Sequence, residues 1–238
     1  MNRWLQTILL LLLSAVLTRL IPFSSLFRNL DTMIHEFGHA LATLLLSGQV
    51  LRIELYADHS GVTYSSVAPG LSAVAVSLAG YLTASLFALL LFYLYARKKL
   101  EWGLMLSVGL ALIMLALYVR GTFGMAWLAG FVVLSLAVLL AGGKLLRIYY
   151  LLLAFLTLEE SVAAPFILLR MSLTAPSRAG DAANLARLTS IPALVWSLLF
   201  LAAALLCAMW ALKLFTSSFR TRERSRRNTP RRFGKSNP

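Results

Sequence analysis

The sequence is poor in the side chains that bind metals or form crosslinks. It has one cysteine, three histidines and nine acidic residues among 238. Cys207 stands alone inside the last apolar run, so the chain can form neither an internal disulfide nor a cluster of thiolate ligands. Any metal ion must therefore be held by histidine and carboxylate side chains.

Long polar segments are also scarce. Hydrophobic residues make up 60% of the chain and the mean hydropathy is +0.81, whereas soluble domains contain roughly 45–50% apolar residues. At about 20 residues per membrane span, the apolar runs use most of the length and leave no room for a large soluble domain. We therefore predict one membrane-embedded domain over residues 1–216, with any catalysis in or beside the bilayer.

The apolar runs predict an all-α polytopic membrane protein with about seven transmembrane helices. The predicted spans cover residues 4–21, 31–47, 70–96, 103–119, 122–141, 145–169 and 191–215. The first run lacks a small-x-small cleavage site, so we expect an uncleaved span rather than a signal peptide. Gly80, inside the third run, predicts a close helix contact or a break.

The positive charge is concentrated at the C-terminal end. The formal net charge of the chain is +13. Residues 220–238 contain eight basic residues and one acidic residue, so they contribute seven of these positive charges. A basic segment that follows an apolar span is typical of the cytoplasmic side and of contact with anionic lipid. We predict a disordered, cytoplasmic tail over 217–238 and no nucleic-acid partner.

The most informative segment is residues 31–47, DTMIHEFGHALATLLLS. On a helix His35 and His39 are one turn apart, so both rings leave the same face and can bind one metal ion. Glu36 lies on the flank of that face, where a carboxylate can act as general base on a metal-bound water without being a ligand. The motif predicts a metal site, because an ionisable cluster in an apolar helix costs free energy unless it is paired or metallated.

Other residues of this helix have predicted structural roles. Asn29 or Asp31 is expected to cap its N-terminus, and Asp31 could instead orient the His35 ring. Gly38 and Ala42 form a stripe of small residues that would let a neighbouring helix approach closely.

After Gly48 the hydrophobic period changes to two, which predicts a β-hairpin over about 49–66. The hairpin is expected to lie against the membrane surface or to dip into it. Its exposed edge could pair with an extended peptide, or it could be a structural hairpin with no partner. His59 lies in the predicted turn and is expected to be solvated.

A catalytic zinc usually has three protein ligands, so the two histidines need a third group. Asp181, Glu159 and Glu160 are the candidates, and their spacing does not choose among them. Asp181 begins a predicted short helix, where the default role of an aspartate is a cap. The two glutamates lie in an apolar run, and we favour their pairing with Arg120 or Arg170.

The chain resembles the site-2 protease family of membrane zinc metallopeptidases, and more closely its branch of short bacterial proteins. The resembling segments are HEFGHALATLLLSG, VLRIELYADHSGVTYSS and GDAANLARLTSIPALVW, in that order. Members of the family carry the third ligand in a Leu-Asp-Gly context with an upstream asparagine and prolines. This chain departs from that pattern, since it has Gly180-Asp181-Ala182.

The resemblance implies an intramembrane zinc endopeptidase in the bacterial plasma membrane. His35, His39 and Asp181 would hold the zinc, and Glu36 would activate its water. The edge of the hairpin would hold the unwound segment of a membrane-protein substrate as an added strand.

Two other classes of function are compatible with the residues. One is a metal-binding scaffold or chaperone that keeps the fold without proteolysis. The other is a proton-coupled transporter that uses Glu159 and Glu160, although the sequence shows no convincing internal repeat.

Overall fold

The structure is a computed structural model that describes Leu9 and residues 25–227, with side chains over 28–217. The predicted first span at 4–21 lies outside the described residues apart from Leu9. Seven α-helices lie within the described range: α1 (Ser25–Leu45), α2 (Leu71–Ala96), α3 (Leu100–Ile113), α4 (Thr122–Ala141), α5 (Gly143–Thr174), α6 (Gly180–Thr189) and α7 (Ala193–Arg227). A π-helical turn, Met114–Tyr118, extends α3, and a 3₁₀ turn, Pro176–Arg178, precedes α6.

Five helices of the described range are long and apolar enough to cross a membrane. They are Leu71–Ala96, Leu100–Tyr118, Thr122–Ala141, Gly143–Thr174 and Ala193–Ser217. The predicted count of about seven spans is not confirmed. The helix that carries the histidines, α1, is not among the five, and it contains Arg28, Asp31 and Glu36. The backbone of α7 continues to Arg227, inside the segment predicted as a disordered tail, and residues 228–238 lie outside the described residues.

The predicted β-hairpin is confirmed. Strands β1 (Gln49–Leu55) and β2 (Gly61–Ser66) are antiparallel, with Leu55 opposite Gly61 and a bulge between Val50 and Arg52. The polar turn between the strands closes through the Asp58 carboxylate, which accepts hydrogen bonds from the backbone N–H and hydroxyl of Ser60. These bonds lower the pKa of Asp58, because they stabilise its charged form.

A third strand, β3 (Val119–Arg120), was not predicted. It pairs in parallel with Ile53 and Glu54 of β1, so the strand order is β2-β1-β3. No sequence pattern indicates this strand, because two residues at the end of an apolar run are too few to show a two-residue period. As a result β1 is the central strand, and β2 is an edge strand of the described sheet.

Helix α2 packs against α1, α5, α6 and α7. The small-residue stripe allows its contact with α1: a Cβ atom on Gly38 would lie 2.9 Å from the Ala79 carbonyl oxygen and 2.7 Å from Oγ1 of Thr83. Further along the bundle, the rings of Phe92, Phe155 and Phe215 meet edge to face. The close contact at Gly38 holds α2 beside α1, and the aromatic packing holds it against α5 and α7.

The predicted cap of α1 is wrong. The helix begins at Ser25, so Asn29 and Asp31 lie inside it rather than at its first free N–H groups. Both side chains are buried, at 0% and 7% exposure. Sequence patterns locate helix ends poorly, and this helix extends back beyond the apolar run on which the prediction was based.

Candidate metal centre

His35 and His39 leave α1 on one face, as their spacing predicts. Their Nε2 atoms are 3.0 Å apart, and the two rings meet nearly edge to face with centroids 4.7 Å apart. The two nitrogens are close enough to bind one metal ion. The helix geometry alone accounts for this half of the site.

Asp181 joins the two histidines from the other end of the chain. Its Oδ2 atom lies 3.2 Å from Nε2 of His35 and 3.3 Å from Nε2 of His39. In the described part of the chain these three residues form a group that could hold a metal ion, and neither Glu159 nor Glu160 belongs to it. Asp181 lies in the first turn of α6, whose N-cap residue is Ala179, so the predicted cap role is wrong and the carboxylate contacts the histidines instead.

The donor set fits zinc. Ligand atoms about 2.0–2.2 Å from a tetrahedral zinc ion lie roughly 3.3–3.6 Å from one another. The three separations here are 3.0, 3.2 and 3.3 Å, close to that range. Two imidazole nitrogens and one carboxylate oxygen also match the ligand types of catalytic zinc sites, which leave a fourth position open.

The ring of His39 is fixed by its other nitrogen. Nδ1 lies 2.7 Å from the backbone carbonyl oxygen of Val76 on α2, so Nδ1–H donates and Nε2 is the nitrogen left to bind a metal ion. The ring of His35 packs edge to face against Tyr81, with centroids 4.5 Å apart. Helix α2 therefore orients both imidazoles for a ligand at Nε2.

The charge state of Asp181 suits a ligand. Burial by itself raises the pKa of its carboxyl group, but the neighbouring His39 and His35 side chains outweigh burial and hold the pKa below its usual range. The carboxyl group is therefore anionic, which is the form that binds a cation.

Glycine at position 80 gives the two imidazoles their space. A Cβ atom there would lie 2.5 Å from Cε1 of His35 and 2.6 Å from Nε2 of each histidine. The close contact predicted for Gly80 is thus with the imidazoles, in addition to any helix packing. We expect Gly80→Ala to weaken zinc binding by roughly 10–100-fold, the range seen when groups that orient ligands are disturbed.

This prediction is checked by competitive zinc titration of the purified variant. Gly109→Ala is the matched control, since Gly109 also lies inside a helix but an added Cβ there meets nothing within 4 Å. The control should bind zinc as the wild type does. Equal zinc affinity for both variants would contradict the role assigned to Gly80.

Glu36 is buried, with 4% of its surface exposed, and faces the hairpin. Its Oε2 atom accepts a hydrogen bond of 2.6 Å from the Thr63 hydroxyl on β2. A Cβ atom on Gly61 would lie 2.7 Å from Oε1, so the strand passes directly over the carboxylate. Thr63 was missed by the sequence analysis, because only the folded hairpin brings position 63 to position 36.

The prediction for His59 is wrong. Its ring is half-buried, its Nδ1 atom lies 3.3 Å from a guanidinium nitrogen of Arg28, and its carbonyl oxygen accepts a 2.8 Å hydrogen bond from Thr32. His59 folds back on α1, whereas Ala57, Asp58 and Ser60 of the same turn are exposed. A turn residue read from sequence carries no sign of such a long-range contact.

Glu160 forms an ion pair, as favoured, but with a different partner. The Nε atom of Arg28 lies 2.7 Å from Oε1 of Glu160, and both side chains are buried. Arg120, one of the two predicted partners, instead donates to the carbonyl oxygens of Val119 and Leu117. The sequence did not point to Arg28, because it lies in the polar connection before the motif.

The site lies in a cavity of about 580 Å³. Its walls come from α1, β2, α2 and α6, and Asp31, Ser65, Ser77 and Asn184 add polar groups. Asn184 was also missed, although its position three residues after Asp181 places it on the same side of a helix. A cavity of this volume with polar groups on its walls can admit water to the site.

Comparison with protein families gives a match over residues 6–211 to the family described as Peptidase M50B-like. Comparisons with curated proteins and with solved structures give no match. The matched range covers the motif helix, the hairpin and α6, and therefore all the residues of the candidate centre.

Proposed function

Because the chain belongs to the Peptidase M50B-like family, we propose that it is an intramembrane zinc metallopeptidase that cleaves membrane-protein substrates. The family match confirms the resemblance to the site-2 protease-like family, and the five apolar helices agree with an integral membrane protein. The observation that carries the proposal is that ligand atoms of His35, His39 and Asp181 lie within 3.3 Å of one another in a cavity that Glu36 also lines.

Each residue of the site has a role in this proposal. Nε2 of His35, Nε2 of His39 and Oδ2 of Asp181 would hold the metal ion. Zinc, when bound, acts as a Lewis acid toward the substrate carbonyl and lowers the pKa of water. Glu36 accepts the proton of the attacking water and then donates it to the amine nitrogen that leaves when the peptide C–N bond breaks.

The substrate has to present an unwound peptide bond, because a helix hides its carbonyl groups in hydrogen bonds. We propose that the edge of β2 receives this segment as an added strand. Strand β2 lines the cavity, while the pairing of β1 with β3 occupies the opposite side of β1 at Ile53 and Glu54. The hairpin would then place an extended peptide beside Glu36.

Metal removal tests the proposal. We expect the purified full chain in detergent to contain zinc, to cleave peptides from a pool of synthetic single-span membrane peptides, and to lose cleavage on treatment with a strong zinc chelator. Added zinc should restore cleavage and added magnesium should not, because the donor set suits zinc.

Zinc content is measured by inductively coupled plasma mass spectrometry and cleavage by mass spectrometry of the peptides. A control incubation with the zinc-saturated chelator separates metal removal from any effect of the reagent on the bilayer mimic. Cleavage that persists in metal-free protein would contradict a metallopeptidase.

A further inference from the structure

One face of α1 contacts the hairpin. Arg28, Thr32 and Glu36 are spaced four residues apart, so they lie in a row along one side of the helix. Each contacts the hairpin: Arg28 and Thr32 contact His59, and Glu36 accepts from Thr63. The metal-binding face with His35 and His39 lies next to this row. The hairpin is therefore docked against α1 at three successive turns, the last of which carries the proposed general base.

Thr63 is placed at that last turn by the register of the sheet. It pairs with Ile53, which is completely buried, and it alternates with the exposed residues Val62 and Tyr64. A β-branched side chain in a strand has a restricted χ1 angle, so the hydroxyl is held in one direction. Its oxygen lies 2.6 Å from Oε2 of Glu36 and 3.2 Å from the Glu36 carbonyl oxygen. The hydroxyl has one proton, and the shorter contact to the carboxylate is where it is donated.

We infer that Thr63 is a positioning residue for Glu36, an inference that rests on the proposed peptidase function. The hydroxyl holds Oε2 and thereby fixes the plane of the carboxylate. The other oxygen, Oε1, lies beside Gly61, where no side chain covers it. A general base must lie within hydrogen-bond reach of the proton that it removes, and a carboxylate that rotates freely spends little time in that geometry. Thr63 thus lies on β2, the strand proposed to bind the substrate, and donates a hydrogen bond to Glu36, the proposed general base.

The kinetic test uses Thr63→Val, which keeps the shape of the side chain but removes the donor, and Thr63→Ser, which keeps the donor. We expect Thr63→Val to lower kcat about tenfold to a hundredfold, the factor that corresponds to losing a hydrogen bond to a charged group. KM should stay within about twofold, because the lost contact orients a catalytic group and does not bind substrate. Thr63→Ser should recover most of the lost rate.

Thr43→Val is the matched control. Thr43 is a buried threonine of α1 whose hydroxyl has no hydrogen-bond partner within the described part of the chain. The Thr43→Val variant should retain wild-type kcat. All variants should carry the zinc content of the wild type, since none of them removes a proposed ligand.

Infrared spectroscopy gives a readout that does not depend on cleavage. The difference spectrum between wild type and Glu36→Gln identifies the Glu36 carboxylate band. Thr63→Val should shift this band, Thr63→Ser should not, and Thr63→Val should have no such effect in the Glu36→Gln background.

The results of these experiments distinguish the positioning role of Thr63 from the proposed peptidase function. An active wild type with unchanged kcat in Thr63→Val, or an unshifted carboxylate band, would overturn the role of Thr63 and leave the peptidase proposal standing. An equal loss of rate in the valine and serine variants would also overturn it. Zinc-loaded wild type without cleavage of any peptide would overturn the proposed function, and the positioning role with it.

Discussion

Glu36→Gln is expected to lower kcat by roughly 10²–10⁴-fold, the contribution of a positioned general acid and base. Glutamine has nearly the same shape as glutamate but cannot accept a proton. Glu36 is not among the three converging donors, so the variant should keep its zinc. The Thr63 hydroxyl can still donate to the amide oxygen, so the hairpin should remain docked.

The measurement is kcat for the single-span peptide that the wild type cleaves, together with zinc content. Glu101→Gln is the matched control, because Glu101 is an exposed carboxylate in the first turn of α3. It should cleave at the wild-type rate. If Glu36→Gln retained cleavage, the role of general base would be wrong. If it lost cleavage but supported the cellular function of the wild type, the scaffold hypothesis would be favoured.

Asp181→Ala is expected to have the largest effect on metal binding. It removes one of three proposed ligands and leaves the two imidazoles to hold the ion. Loss of an outer partner of a ligand already costs about 10–100-fold in metal affinity, so loss of a ligand itself should cost more. Cleavage should fall with zinc occupancy, because the proposed mechanism needs the bound ion.

Glu160→Gln is the comparison that decides between the candidate third ligands. The Glu160 carboxylate faces Arg28 at 2.7 Å and is not part of the three-residue group. Its variant should bind zinc with wild-type affinity, although it should melt earlier because the buried Arg28 loses its counterion. Zinc loss in Glu160→Gln together with zinc retention in Asp181→Ala would reverse the assignment.

Local patterns predicted much of this molecule. The four-residue spacing of His35 and His39 placed both rings on one face of a helix, since helix geometry alone sets that relation. The two-residue period after Gly48 predicted a hairpin over about 49–66, and the two strands begin at Gln49 and end at Ser66. Gly38 was predicted to allow close helix approach and Gly80 to mark a close contact or a break, and both lie at close contacts.

Those local patterns did not predict contacts between segments that are distant along the chain. Nothing local links Thr63 with Glu36, Arg28 with Glu160, or Val119 with Ile53, since folding rather than spacing brings each pair together. Asp181 could be favoured over the two glutamates only through the family resemblance. Its Gly-Asp-Ala context departs from the family pattern, yet the carboxylate reaches the histidines.

Because the proposed base and two proposed ligands lie on neighbouring faces of α1, different parts of the protein contact them. The proposed base and two of the proposed ligands lie on the same helix, so the helical repeat sets the spacing of their Cα atoms whatever surrounds the helix. The hairpin and α6 contact this helix at separate residues. Changes in β2 at positions other than Thr63 are therefore expected to alter substrate preference, and changes at position 181 to alter metal preference, each without moving the other element.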